Sequence, residues 1–283
     1  MAEGIGLRPE GSPSTASEGR PDINADVLPD ELAYTCVGAA KRMVVSSTAG
    51  YFFSLSHRLS IDVLLWYVDL DRYASAVELT GVSTAELACA QKRMSARDRT
   101  RYLASRHALR RAIGGVVGLP PAQLRIRADA WGRPMLEHGG DIDFNLSHSE
   151  QMGFIGVCRG QSIGVDIEAI RSLTDAGELA GLHFTDAERK EWSGAGLRQA
   201  RDFLSCWTRK EACLKALGVG LSGEPSAIDA GCAPRPRTVS LSLGSHCCEA
   251  AVDSVDVPGQ AVAAVAWTKP ANVAHARQFL QRT

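Results

Sequence analysis

Apolar positions along the chain change period several times, and each change marks an expected element. The run Ile61-Asp62-Val63-Leu64-Leu65-Trp66-Tyr67-Val68 is almost continuously apolar, as in a buried strand. Residues 84–118 switch to helical spacing, with Leu87, Met94, Tyr102, Leu103, Leu109 and Ile113 as apolar positions and Gly114-Gly115 ending or kinking the segment. A short strand is expected at 124–127, then a turn at Trp131-Gly132-Arg133-Pro134. Three β-like runs follow at 142–146, 154–158 and 163–167, and Arg159-Gly160-Gln161 predicts that the last two form a hairpin. Thr185 fits an N-cap, with Glu188 as its capping-box partner, for a helix to about Trp192. A second helix spans 198–217 and stops at Gly218. Late strands are expected at 238–243, 249–253 and 261–267, with the alternation of an antiparallel sheet. This order suggests two similar halves, although no sequence repeat supports it.

Residues 1–30 are rich in Gly, Ser, Pro and acids without periodicity, which predicts disorder, and 31–58 carry no clear pattern. The chain therefore divides into a largely disordered extension (1–58), a first half (59–160), a second half (161–270) and a tail (271–283). A natural start downstream, for instance at Met43, is compatible with this division.

The length of 283 residues suffices for one large domain or two smaller ones, and 45% hydrophobic with 22% charged residues is ordinary for a soluble protein. A net charge of -1 supplies no global field for nucleic acid or a membrane surface, so any anion site must come from local Arg and Lys clusters. The helical stretch holds such a cluster: Lys92, Arg93, Arg97, Arg99, Arg101, Arg106, Arg110 and Arg111, mostly a solvated face, with a subset able to hold phosphate. The eight cysteines form no CxxC pair and read as scattered thiols of a reducing compartment. No run reaches the roughly 18 apolar residues of a membrane span, and no charged start precedes an apolar core. A cytoplasmic protein is expected.

Chemistry concentrates in a few segments. In Gly164-Val165-Asp166-Ile167-Glu168, strand alternation puts Ile163, Val165 and Ile167 on one face and Gly164, Asp166 and Glu168 on the other. The carboxylates then stand about 7 Å apart at the backbone and can converge on one cation. Hard oxygen ligands without His or Cys at metal spacing favour Mg²⁺ over zinc; alone, the pair could equally be a solvated strand end. In Trp207-Thr208-Arg209-Lys210-Glu211-Ala212-Cys213-Leu214-Lys215, Glu211 lies only about 40° from Trp207 on the helical wheel, beside the apolar arc of Phe203, Trp207, Leu214 and Leu217. An unpaired charge is costly there; the plain alternative is a surface pair with Lys215 at i+4. Phe144-Asn145-Leu146-Ser147-His148-Ser149 brings hydroxyls and an imidazole to a strand end, as phosphate donors or as turn caps. Neither GxSxG nor GxxxxGK[ST] is present.

Taken in order with Gly132-Arg133-Pro134 and Phe184-Thr185-Asp186-Ala187-Glu188, these motifs resemble the signature of the Sfp-type 4'-phosphopantetheinyl transferase family over residues 61–268. The resemblance implies an α+β fold of two similar α/β halves related by a pseudo-twofold, with coenzyme A in the cleft between them. It implies Mg²⁺ on Asp166, Glu168 and Glu211, CoA phosphates on Ser147 and His148, and the 3'-phosphate on Arg133. Lys210 and Lys215 match the family's helix lysines, with Lys215 near the pyrophosphate. Arg101 and Arg106, in a looser match, are expected phosphate ligands. Glu211, Lys215 and His148 are the expected catalytic residues. The implied reaction moves phosphopantetheine to a serine of apo carrier domains of polyketide, nonribosomal-peptide or fatty-acid synthases, releasing 3',5'-ADP. The implied protein is a cytoplasmic monomer whose carrier docks near residues 173–184, with Leu179, Leu182 and His183, steered by Arg171 or Arg189. The long segment before Ile61 departs from the family pattern. Two competing readings are an Mg²⁺-dependent phosphohydrolase, needing no protein acceptor, and a non-catalytic CoA- or carrier-binding module, which the intact acid and lysine set disfavours.

Overall fold

A computed structural model describes residues 52–55, 63–192, 196–220, 224–243 and 246–280. The expectations for 1–51, the disorder and the downstream start among them, lie outside these described residues.

The protein is α+β. Its first sheet is antiparallel and comprises β1 (Phe52–Leu55), β2 (Val63–Asp69), β5 (Ile142–Ser149) and β6 (Met152–Arg159) in the order β1-β2-β6-β5. The second comprises β7 (Ser162–Ala169), β8 (Arg237–Leu243), β9 (His246–Val255) and β10 (Ala261–Thr268) in the order β7-β10-β9-β8. A ribbon of β3 (Ile126–Ala128) and β4 (Pro134–Leu136) carries the turn around Gly132. Strand β1 lies inside the segment that the sequence assigns to the extension.

Each sheet carries one 22-residue helix, α3 (Ala96–Val117) on the first and α6 (Gly196–Leu217) on the second. Trp66, Val68, Phe144, Ile155 and Val157 pack against Ala104, Ala108, Leu109, Ala112 and Ile113 of α3. The opposite face of the first sheet, with Leu65, Tyr67, Met152 and Phe154, meets Ile163, Val165 and Ile167 of β7 and Ala263 and Val265 of β10. Helix α6 covers the remaining face through Ala212, Leu214 and Ala216. Burial of these apolar faces on both sides of each sheet is the main stabilising term.

Three expectations are corrected. The segment 84–118 is two helices, α2 (Thr84–Gln91) and α3, because Ser95 starts a new helix by accepting from Asp98 N at 3.0 Å. Helix α3 runs through Gly114-Gly115 and ends at Gly118, which takes φ +71°. Strands β6 and β7 form no hairpin, because both edges of β6 are already paired, to β2 and β5. The turn at Gly160 (φ +68°) instead passes the chain to the second sheet.

Helices α1 (Leu70–Tyr73), α4 (Ala176–His183), α5 (Asp186–Glu191) and α7 (Pro270–Leu280) complete the molecule. Thr185 and Glu188 make the expected capping box of α5. Gly164 sets how closely α6 lies on β7: a Cβ there would stand 2.1 Å from Ala212 O and 2.4 Å from Ala216 N. Backbone atoms cannot swing aside, so Gly164→Ala should cost about 1–3 kcal/mol or more in urea unfolding, and with it the register of Glu211 and Lys215. A stability within a few tenths of a kcal/mol of wild type would contradict this packing.

Candidate active site

The free edge of β7 is satisfied by side chains of β5 in place of a backbone ladder. Asp143 Oδ2 accepts from Ile163 N at 2.8 Å, Asn145 Oδ1 from Val165 N at 3.0 Å and Ser149 Oγ from Ala169 N at 3.2 Å. Buried strand-edge donors need such partners. The alternating polar positions 143, 145, 147 and 149 carried this signal in the sequence.

Along this seam Ser147 Oγ donates to Asp166 Oδ1 at 2.8 Å, and Ser149 Oγ to Glu168 Oε2 at 2.8 Å. From α6, Lys215 Nζ donates to Asp166 Oδ1 at 2.6 Å and to Val165 O at 3.3 Å. Asp166 is 5% exposed. Burial pushes its carboxyl above the usual range, with Glu168 adding to the rise and Lys215 and Ser147 opposing it. Glu211 shifts the same way: burial raises it, Lys215 opposes, and the Asp166 and Glu168 charges raise it further. The helix carboxylate therefore senses both strand carboxylates. Asp166 Oδ2 and Glu211 Oε1 are buried without a hydrogen-bond partner among the described residues. Such oxygens are costly unless a proton or cation meets them. Among the described residues, no three acid, imidazole or thiol groups stand close enough to make a ready metal cage.

His148 extends the site toward the start of α3. With Arg93, Asp98, Arg101, Tyr102 and Glu150 it lines a pocket of about 200 Å³. Desolvation by the pocket wall, with the Arg106, Arg93 and Lys215 charges, lowers its pKa against the opposing Glu168. Arg93 and Arg106 lie over the Tyr102 ring, 4.7 and 5.1 Å from its centroid. Arg101 is tied to Asp71 by paired hydrogen bonds of 2.7 Å and still lines the pocket.

Two expected CoA contacts face elsewhere. Lys210 is fully buried and bonds Glu188 Oε2 at 2.6 Å, Pro225 O at 2.8 Å and Ile228 O. Its ammonium has three donors, all taken by the protein, so the CoA assignment of Lys210 is corrected. Arg133 turns inward, donating to Asp143 Oδ2 and Ile163 O at 2.6 Å each and to Lys215 O. Ser147, buried, gives its proton to Asp166. Sequence reasoning missed two buried groups. Glu188, beyond its capping role, accepts from Ala230 N and Gly231 N at 2.8 and 3.1 Å. Arg209 binds Ala230 O, Arg235 O and Ser254 Oγ. Their partners lie 21–45 residues away, so no local pattern announces them.

Comparison with known proteins agrees with this architecture. Residues 162–265 match the model of the 4'-phosphopantetheinyl transferase superfamily. Residues 66–157 match that of the 4'-phosphopantetheinyl transferase N-terminal region. The gap between them falls at the passage from β6 to β7. The chain is 34% identical over 172 residues to 4'-phosphopantetheinyl transferase HetI of a Nostoc species, covering 58% of this chain and 72% of that one. It is 28% identical over 195 residues to 4'-phosphopantetheinyl transferase psf-1 of Bacillus pumilus (69% and 82%). The 4'-phosphopantetheinyl transferase of Bacillus subtilis is 29% identical over 165 residues (56% and 71%). The fold and these relatives define a transferase enzyme of the α+β class. The chain belongs to the 4'-phosphopantetheinyl transferase family. Among the described residues, no helix is long and apolar enough to cross a membrane.

Proposed function

We propose that this chain moves the 4'-phosphopantetheine of coenzyme A onto a serine of an apo carrier protein, with Mg²⁺ bound by Asp166, Glu168 and Glu211. The carrying observation is the contact of Lys215 with Asp166, together with one buried, unpartnered oxygen each on Asp166 and Glu211. That donor set of hard oxygens fits a magnesium ion. When bound, the ion would supply charge neutralisation at the pyrophosphate.

The protein's own groups do the rest. The carrier serine Oγ forms a bond to the phosphorus that bears pantetheine, and the bond to the bridging oxygen of the pyrophosphate breaks. Glu211 takes the serine proton. Lys215 offsets charge building on the departing 3',5'-ADP. His148, with Arg101 and Arg106, holds CoA phosphates at the pocket. Ser147 orients Asp166 by donating its hydroxyl proton to Oδ1. The CoA site lies between two halves related by a pseudo-twofold, and the protein acts as a cytoplasmic monomer. The carrier, from a polyketide, nonribosomal-peptide or fatty-acid synthase, docks beside α4. There Leu182 is 68% exposed, and the His183 ring packs edge-on to Trp207 with centroids 5.3 Å apart.

Intact-mass spectrometry of purified apo carrier proteins, incubated with this protein, CoA and Mg²⁺, tests the reading. A phosphopantetheine mass gain that disappears with a chelator is expected. No gain on any carrier class, or 3',5'-ADP release without a carrier, would overturn it.

A further inference from the structure

The family resemblance points Arg133 at the 3'-phosphate of CoA, but its guanidinium is otherwise engaged. Its side chain is only 11% exposed. Nη2 bonds Asp143 Oδ2 and Ile163 O at 2.6 Å each, and Nη1 bonds Lys215 O. The acceptors belong to β5, β7 and the last turn of α6. The Lys215 carbonyl also accepts from Gly218 N at 3.1 Å, and a cation at this helix end complements the dipole. A planar fork can bridge three such acceptors; a lysine ammonium on a flexible stem cannot hold them in one plane.

The turn that presents Arg133 is itself anchored. Asp129 Oδ1 accepts from Trp131 N at 2.9 Å and from Arg133 N at 2.8 Å, and Asp129 Oδ2 pairs with Arg277 of α7 at 2.8 Å. Arg277 also donates to Gly218 O at 3.2 Å, just past the end of α6. The Arg133 guanidinium thus ties the carbonyl of Lys215 to the residue before Gly164, where α6 packs on β7.

We propose that Arg133 is a positioning residue: it clamps the end of α6 to the β5–β7 seam, so that Lys215 stays on Asp166, and it does not bind the 3'-phosphate. Its activity readout rests on the transferase reading above.

The test compares Arg133→Lys, Arg133→Ala and Asp143→Asn with wild type, using CoA and 3'-dephospho-CoA as donors and a purified apo acyl carrier protein as acceptor. Loss of the clamp should lower kcat about 10- to 100-fold with the CoA KM within about threefold. Preference for CoA over 3'-dephospho-CoA should stay within about twofold of wild type, and Arg133→Ala with Asp143→Asn should be no worse than the poorer single variant. Labelling of Lys215 by an amine-reactive ester, read by mass spectrometry without turnover, should rise at least about threefold in each variant as its ion pair loosens.

The proposal falls if the variants raise the CoA KM and lose that preference. It also falls if Lys215 labelling is unchanged, or if activity returns to wild type once each variant is assayed well below its melting midpoint. A wild type that modifies no carrier, yet yields the labelling change, would sink the transferase reading and leave the clamp standing.

Discussion

Glu211→Gln is expected to slow carrier modification by about 10³-fold while leaving CoA affinity within about threefold. The amide keeps the shape of the side chain and loses the capacity to take the serine proton. CoA contacts assigned to Arg101, Arg106 and His148 are untouched. Initial rates at saturating CoA, beside calorimetric binding of CoA, separate the two effects. More than a tenth of wild-type activity would remove Glu211 as the base. A second outcome concerns stability. Burial raises the folded-state pKa of both Glu211 and Asp166. Their stability contribution is thus present at acid pH and lost as the pH rises through the folded values. In chelator, the variant lacks the Glu211 part, so its stability should fall less steeply with rising pH than that of wild type. A steeper fall would place the charge elsewhere.

Lys210→Ala is expected to cost about 3–5 kcal/mol, because it strands the fully buried Glu188 carboxylate without its cation. For a chain of this size the melting midpoint should drop on the order of 10 °C. Glu188 keeps its bonds from Thr185 N, Ala230 N and Gly231 N, so the loss is of charge compensation and not of every contact. Assayed where it is folded, the variant should show a CoA KM within about threefold of wild type. A tenfold higher KM with unchanged stability would restore Lys210 to the substrate site.

The contact of Lys215 with Asp166 follows from strand alternation and helical spacing, which are local rules. The strand face predicted from Ile163, Val165 and Ile167 is the buried one, and α6 covers the other. Lys210, next to Glu211 in sequence, could not be read this way. The wheel says which side it takes, but what packs there comes from residues 185–188 and 225–231. Arg133 is similar: the motif placed it correctly in a turn, while its direction depends on Asp143, Ile163 and the end of α6. The hairpin between β6 and β7 failed because strand pairing is a competition, and β2, far upstream, holds the edge of β6.

The proposed transfer requires three carboxylates, from β7 and α6, to share one divalent ion. Electron paramagnetic resonance of Mn²⁺ in the presence of CoA tests this directly. Wild type should bind one Mn²⁺ at the site, and Asp166→Asn, Glu168→Gln and Glu211→Gln should each weaken it about tenfold or more. Undiminished Mn²⁺ affinity in all three variants would contradict the assignment of the site.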